Sequence, residues 1–306
     1  MHRAFSLILL LILATGCSIK KMAINRLADS LAGSSDVYAS DEDPELVREA
    51  LPFALKTMES LLAEAPRHYG LLVNASAGFT QYAYAFVWLD AEEIESTDPE
   101  KAKALRERAR LLYLRAKGYG LRALEVRHEN FSVSLERDAP AAVSTTTVRD
   151  VPALFWTSVS WMAAVSQAKG DMDLVADLPA ADTMIRKALQ LDPSFDSGAI
   201  HEFLISYEAG RAGGSVAKAR EHYEAAMQVN EGKKMGPLVS LAENVSVQEQ
   251  NRKEFLDLLD RVLNFDVNTA PKYRLGNLLA QKRARQLKSR LEDLFLDEVQ
   301  EQQENP

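Results

Sequence analysis

The sequence predicts an all-α chain of stacked helical hairpins, a degenerate solenoid closed by a C-terminal capping helix. Three observations carry that prediction. Glycine (14) and proline (11) are sparse in 306 residues, below the average shares of roughly 7% and 5%, which disfavours a sheet with many tight turns. Apolar residues recur at three- and four-residue intervals from Pro44 onward, the helical period. One spacing of small and large apolar residues returns several times along the chain. The 47% apolar and 26% charged content excludes disorder and collagen-like repetition. A formal charge of −8 gains nothing from counterion release on a phosphate backbone, so nucleic acid is not an expected partner.

Residues 1–16 read as a secretory signal: Arg3, the apolar run Leu7 to Ala14, then the small residues Thr15 and Gly16. Even counted from Ala4 the run is about eleven residues, short of the ~20 needed to span a bilayer as a helix. Cys17 follows and is the single cysteine, so it cannot close an internal disulfide. Leu13-Ala14-Thr15-Gly16-Cys17 resembles the lipobox at which bacteria acylate the sulfur and cleave before it, with Ala14 in place of the commoner leucine. Several acyl chains anchor stably where one does not. The expected location is the cell envelope, lipid-anchored and facing the periplasm, with Ser18 favouring the outer over the inner membrane. Residues 17–43 then form an acylated tether ending in Asp41-Glu42-Asp43 before Pro44. Negative charge and a first-turn proline both suit a helix N-terminus, and 44–306 is the expected helical repeat domain.

Within that domain Ala54, Met58, Leu61, Pro66 have offsets of four, three and five, repeated by Ala181, Ile185, Ala188, Pro193 and by Ala219, Tyr223, Ala226, Glu231. Ala109, Tyr113, Ala116 carry the first two offsets, and Phe255, Leu259, Val262 are a degenerate copy. Small residues at this spacing let a helix approach its predecessor while a larger one fills the groove. First helices of the pairs carry offsets of three, one and three: Leu72, Ala75, Ser76, Phe79; Trp156, Val159, Ser160, Ala163; and Leu238, Leu241, Ala242, Val245. This is a tetratricopeptide-like pattern, whose repeat is about 34 residues, stretched by insertions near Ser96 to Lys101 and Asn130 to Val151. From Tyr273 to Gln300, Leu275, Leu279, Leu287, Leu291 and Leu294 place a stripe on the capping helix.

Catalytic and metal motifs do not emerge. His68, His128, His201 and His222 share no HExxH-type spacing, and His201-Glu202 lacks a second histidine four residues on. Gly210-Arg211-Ala212-Gly213-Gly214 reads as an interhelix turn, since no strand precedes it and no Gly-Lys-Ser/Thr follows. No GxSxG occurs. The expected protein is therefore not an enzyme and carries no cofactor. Aromatic content is the better lead. Phe79, Tyr82 and Phe86 share one helical face, Tyr84 and Trp88 another, and Trp156 and Trp161 differ by five. A helix apolar all round is buried by two neighbours or lines a cavity.

The lipobox, the degenerate repeats over residues 44 to 300, and the segment Arg149-Asp150-Val151-Pro152-Ala153-Leu154-Phe155-Trp156-Thr157-Ser158-Val159-Ser160-Trp161 together resemble the T component of tripartite ATP-independent periplasmic (TRAP) transporters. Gly78 to Trp88 and Ala188-Leu189-Gln190-Leu191-Asp192-Pro193 are also similar to that family. The resemblance implies a non-enzymatic, tethered protein that self-associates, as a trimer, and docks the extracytoplasmic solute-binding (P) subunit. It also implies an apolar tunnel through which a hydrophobic small ligand is handed over. Trp156 and Trp161 become candidates for the tunnel or its support, and periodicity extends the set to Phe79, Tyr82 and Phe86. The alternative reading is a tetratricopeptide scaffold lipoprotein for envelope assembly, serving barrel insertion, pilus or peptidoglycan machinery; it predicts a polar concave groove instead.

Overall fold

A computed structural model of the chain describes residues 26, 27, 29, 35–168 and 170–296. The expected signal, Cys17 and the last residues of the expected cap lie outside that set. Helices dominate and no strand occurs among the described residues, as the all-α reading expects. The described residues divide into two compact units, one within residues 45–192 and the other within 193–296.

The first unit is built on α1 (Pro44–Glu64), α2 (Tyr69–Ala83), α3 (Pro99–Arg127), α4 (Val151–Ser166) and α5 (Leu178–Leu191). The starts obey simple chemistry. Pro44 opens α1, the His68 ring accepts from the Leu71 N–H at the head of α2, and Asp98 accepts from the Lys101 N–H with Pro99 beside it at the head of α3. Capping of this kind satisfies amides that the helix itself leaves unpaired. Beyond Ala83 the α2 rod continues through a π-helical turn, Tyr84–Trp88, into Leu89–Ile94.

The unit is organised by α3. Ala102, Ala109, Ala116 and Ala123 repeat every seven residues and are all fully buried, so α2 and α4 can come close on either side. The closest approach is at Gly120. A Cβ there would stand 2.1 Å from the Thr157 Oγ1 of α4 and 3.1 Å from the Ser76 Oγ of α2. Thr157 cannot easily yield, being β-branched and donating to the Ala153 carbonyl at 2.6 Å.

The second unit holds α6 (Phe195–Gly210), α7 (Val216–Val229), α8 (Gly236–Leu241), α9 (Arg252–Leu263) and α10 (Arg274–Ser289). The glycine-rich segment is the α6–α7 turn, as its sequence suggests. Ser215 and Asn251 cap α7 and α9 through the Lys218 and Glu254 amides. Its core gathers Ile205, Leu238, Leu241, Val245, Phe255, Leu259 and Val262, with Phe295 edge-on to Phe255 at 5.0 Å.

Most of the spacings land where expected: Ala109/Tyr113/Ala116, Ala181/Ile185/Ala188, Leu72/Ala75/Ser76/Phe79 and Leu238/Leu241/Ala242/Val245 are all buried. Three differ. In α1 the inward face is Val47, Leu55, Met58 and Leu62, so Ala54 and Leu61 sit one step off it. In α4 burial runs almost all round, because the helix is sandwiched, and Trp156, Val159 and Ala163 are among its more open positions. In α10 the buried line is Asn277, Ala280, Arg283, Ala284 and Leu287. Two polar groups lie in it because each has a dedicated partner: Asn277 accepts from the Met235 N–H and donates to the Lys233 carbonyl, and Arg283 is paired with Glu243. The helix also breaks at Arg290 before Leu291–Leu294, so the leucine stripe is not one continuous cap.

Gly120→Ala would gain about 1 kcal/mol of helix propensity but collides with Thr157, and overpacking of this kind costs about 1–3 kcal/mol. A net loss of stability is expected by denaturant unfolding, with part of it recovered when Thr157→Ala is added. A neutral or stabilised Gly120→Ala would show that the seam is looser than described.

Candidate functional site

Phe79, Tyr82 and Phe86 form one layer on the side of α2 that meets α1 and α3. All three are buried. Phe79 stacks on Tyr119 of α3 at 5.9 Å, and Tyr82 lies tilted against Phe86 at 5.8 Å. Each ring is capped by a guanidinium: Arg115 over Phe79, Arg108 over Tyr82 and, from α1, Arg48 over Phe86, at 5.0–5.8 Å. Arg122 covers Tyr119 in the same way at 5.3 Å. Attraction of a cation to the ring face contributes about 0.5–1 kcal/mol at exposed positions.

The caps are themselves held. Arg48 forks onto Asp90 at 2.5 and 3.0 Å and donates to the Phe86 carbonyl. The Tyr119 hydroxyl donates to Glu59 at 2.7 Å, and burial together with that carboxylate pushes its pKa up to about 12. Burial would raise Glu59, yet hydrogen bonds from Lys56 and Tyr119 and the charge of Arg115 bring it below the usual range. Arg108, Arg115 and Arg122 are seven residues apart, each preceding one of the buried alanines, and Leu111 stands exposed on their face. Sequence reasoning found the rings but not this arginine row, although the heptad was readable on α3.

Trp156 and Trp161 are not part of that layer. Trp161 is buried with Lys117 of α3 3.3 Å above its ring, and its indole N–H has no hydrogen-bond partner among the described residues. Burial lowers the Lys117 pKa, with Asp177 opposing at 3.8 Å. Trp156 is half-buried and meets Phe155 edge-on at 4.8 Å. Tyr84 and Trp88 stack at 5.5 Å on the π-helical turn, with Tyr84 exposed.

The segment around Arg149-Asp150-Val151-Pro152 is a clasp. Asp150 is buried and accepts from the Thr147 N–H and hydroxyl at 2.9 and 3.0 Å and from Arg127 at 3.1 Å, with His128 Nε2 at 3.2 Å. The Arg149 carbonyl receives Arg127 at 2.6 Å and the Tyr69 hydroxyl at 2.9 Å, while Arg127 also lies 3.5 Å over the Tyr69 ring. One loop thereby ties the start of α2, the end of α3 and the start of α4. Burial alone would raise the Asp150 pKa, but the hydrogen bonds from Thr147 and Arg127, with the His128 ring close by, outweigh it and leave it lowered.

The second unit has a cleft of about 410 Å³ bordered by Arg220, Tyr223, Lys253, Glu254, Asp257 and Arg261, among others. Arg220 is forked between Glu254 (2.7 and 2.8 Å) and Glu249 (2.5 Å), which makes this cleft polar and ionic.

The model of the TRAP transporter T-component family matches residues 40–295. The chain belongs to that family. A protein of Treponema pallidum (strain Nichols), described as uncharacterized, is 31% identical over 307 residues, covering 94% of this chain and 95% of its own. Membership in the T-component family makes the chain an accessory component of a TRAP transporter and places it in a bacterial envelope. No helix among the described residues is long and apolar enough to cross a membrane. In this T-component the family-like Arg149–Trp161 stretch thus combines a structural clasp at its start with the two tryptophans of α4.

Asp150 carries a folded-state pKa below its unfolded value of about 3.9, so its contribution is complete above that value and is lost as pH falls through the folded one. Asp150→Asn is expected to cost about 1–3 kcal/mol near pH 7, since it removes the buried carboxylate to which Arg127 and Thr147 donate. The gap from the unsubstituted protein should narrow below about pH 4. Urea unfolding across pH checks this; a gap that stays constant down to pH 3 would contradict it.

Proposed function

We propose that the chain is a lipid-anchored, periplasm-facing accessory subunit that docks the solute-binding subunit of its TRAP transporter and makes or breaks no bond itself. The family match over residues 40–295 carries this reading. The anchor is Cys17, behind a signal of residues 1–16 and a tether of 17–43, and Ser18 favours the outer membrane. The helical hairpins of residues 44–306 serve as degenerate tetratricopeptide-like units that self-associate, as a trimer. A hydrophobic ligand passes along an apolar tunnel, for which Phe79, Tyr82, Phe86, Trp156 and Trp161 supply lining or support. Burial of apolar ligand surface at roughly 25 cal/mol per Å² drives its uptake.

The docking face is the outward side of α3. Arg108, Leu111, Arg115 and Arg122 share that side, and three of the four are positive on a chain of net charge −8. Their guanidinium groups already rest on Tyr82, Phe79 and Tyr119. Such preorganisation reduces the ordering cost of binding, and a local patch of one sign orients an oppositely charged partner. The complementary surface on the solute-binding subunit is acidic.

Binding of the TRAP solute-binding subunit from the same bacterium, followed by biolayer interferometry, tests this. Arg115→Glu with Arg122→Glu should weaken it at least roughly tenfold, ~1.4 kcal/mol, whereas the paired Lys substitutions should retain most of it. Unchanged affinity in the Glu variant would rule out this face. Retention of barrel-assembly or wall-synthesis proteins in place of the solute-binding subunit would replace the transporter reading with the scaffold one.

A further inference from the structure

Two histidines that show no recognisable spacing in the sequence meet in the second unit. His201 of α6 and His222 of α7 place their Nδ1 atoms 2.9 Å apart, with ring centroids at 5.2 Å and planes at 48°. The rings therefore point at each other nitrogen to nitrogen, and one Nδ1–H donates to the Nδ1 lone pair of the other. Close packing fixes that encounter. Ala219 and Ala226, a turn on either side of His222, are fully buried, and a Cβ on Gly198 would sit 3.3 Å from the Ala226 Cα. The φ of +87° at Gly198 suits glycine. Both rings are half-buried.

Proton counting shows what this contact tolerates. With both rings neutral, or with one extra proton on the outer Nε2 of the donating ring, one Nδ1 carries a hydrogen and the other a lone pair. A second extra proton must enter the accepting Nδ1. Two N–H groups and two positive charges then face each other across 2.9 Å, so the bond is lost and repulsion replaces it. The conflict lies on the inner nitrogens and holds whatever the outer ones touch.

Surrounding charges are engaged with one another. On α6, Glu202 lies 3.6 Å from Lys234 and Glu208 is paired with Arg211. Lys234 also donates to the Asp196 carbonyl at 3.1 Å, and the Tyr273 hydroxyl meets Ser197 at 2.7 Å. On α7, Arg220 is forked between Glu249 and Glu254, Glu221 is exposed, and Glu224 borders the ionic cleft. Lys218, a turn before His222, adds positive charge to that helix. Glu243, which follows α8, is paired with Arg283. Burial alone holds the His201 imidazole below its ordinary value.

We propose that the His201–His222 pair is an acid-released clasp, holding α6 to α7 while at most one extra proton is bound and letting that seam open when the second enters. The folded chain refuses a proton that the unfolded chain accepts near pH 6.5. The clasp's contribution is therefore complete above that value and is lost as pH falls through the folded one. Ordinary carboxylates titrate about two pH units lower, so the interval between pH 6.5 and 5 belongs to histidine.

Hydrogen exchange of the full-length chain at pH 6.5 and pH 5.0, with intrinsic chemical rates divided out, tests the clasp. Protection within residues 199–229 of α6 and α7 is expected to fall at least roughly fivefold on acidification, while residues 102–116 of α3 keep theirs. His201→Asn presents an amide that donates to a neutral His222 and accepts from a protonated one, so protection in that variant should not change over the same interval. His222→Asn should behave alike, which keeps the test available where one variant folds poorly. Protection of α6 and α7 that is unchanged by acid in the unsubstituted protein, or lost equally in the asparagine variants, would overturn the clasp and leave a static packing contact.

Discussion

The alanine heptad of α3, with Gly120 inserted into it, is the constraint on which the first unit rests. Ala102, Ala109, Ala116 and Ala123 remove the side-chain bulk that would otherwise hold α2 and α4 away. At Gly120 even a methyl group has no room beside Thr157. The close approach sets where everything else on those helices falls. It brings the rings of Phe79 and Tyr82 within reach of guanidinium groups one residue before the alanines, and it brings the end of α3 to the loop that starts α4. Aromatic layer and clasp are thus two consequences of one stripe of small residues.

The Arg149–Trp161 stretch carries the family resemblance, yet its opening residues act through architecture. Asp150 and the Arg149 carbonyl gather Arg127, His128, Thr147 and Tyr69, a set of which local spacing reveals only Thr147, three residues before Asp150, because Tyr69 comes from α2 and Arg127 and His128 from the end of α3. Pro152 fits the first turn of α4, where a missing N–H is no loss. What the same stretch contributes near its end is chemically different: a half-buried Trp156, and a Trp161 that shares its burial with the ammonium of Lys117.

Much of the helical framework was legible in the sequence, because burial of small residues at three- and four-residue offsets is a local periodic signal. The offsets starting at Ala109, Ala181 and Leu238 mark truly buried faces. They misplace α1 by one residue and lose meaning in α4, where neighbours on all sides erase the amphipathic contrast. On α10 a leucine stripe competed with Asn277 and Arg283, which are buried only because Met235, Lys233 and Glu243 happen to face them. The candidate site was legible in half. Periodicity grouped Phe79, Tyr82 and Phe86 correctly and separated Tyr84 and Trp88, but a cation over a ring is a tertiary contact, as is a pair of histidines 21 positions apart.

The π-helical turn at Tyr84–Trp88 adds one residue to a rod that otherwise repeats every 3.6. Side chains beyond it are out of phase with those before it, while within the turn Phe86 still faces Arg48 and Tyr84 stacks on Trp88. A homologue whose rod is α-helical throughout would align here with a single-residue gap in an ungapped helix. That gap would be the record of a change in geometry, and the residues flanking it would be equivalent in space only after the alignment is allowed to break.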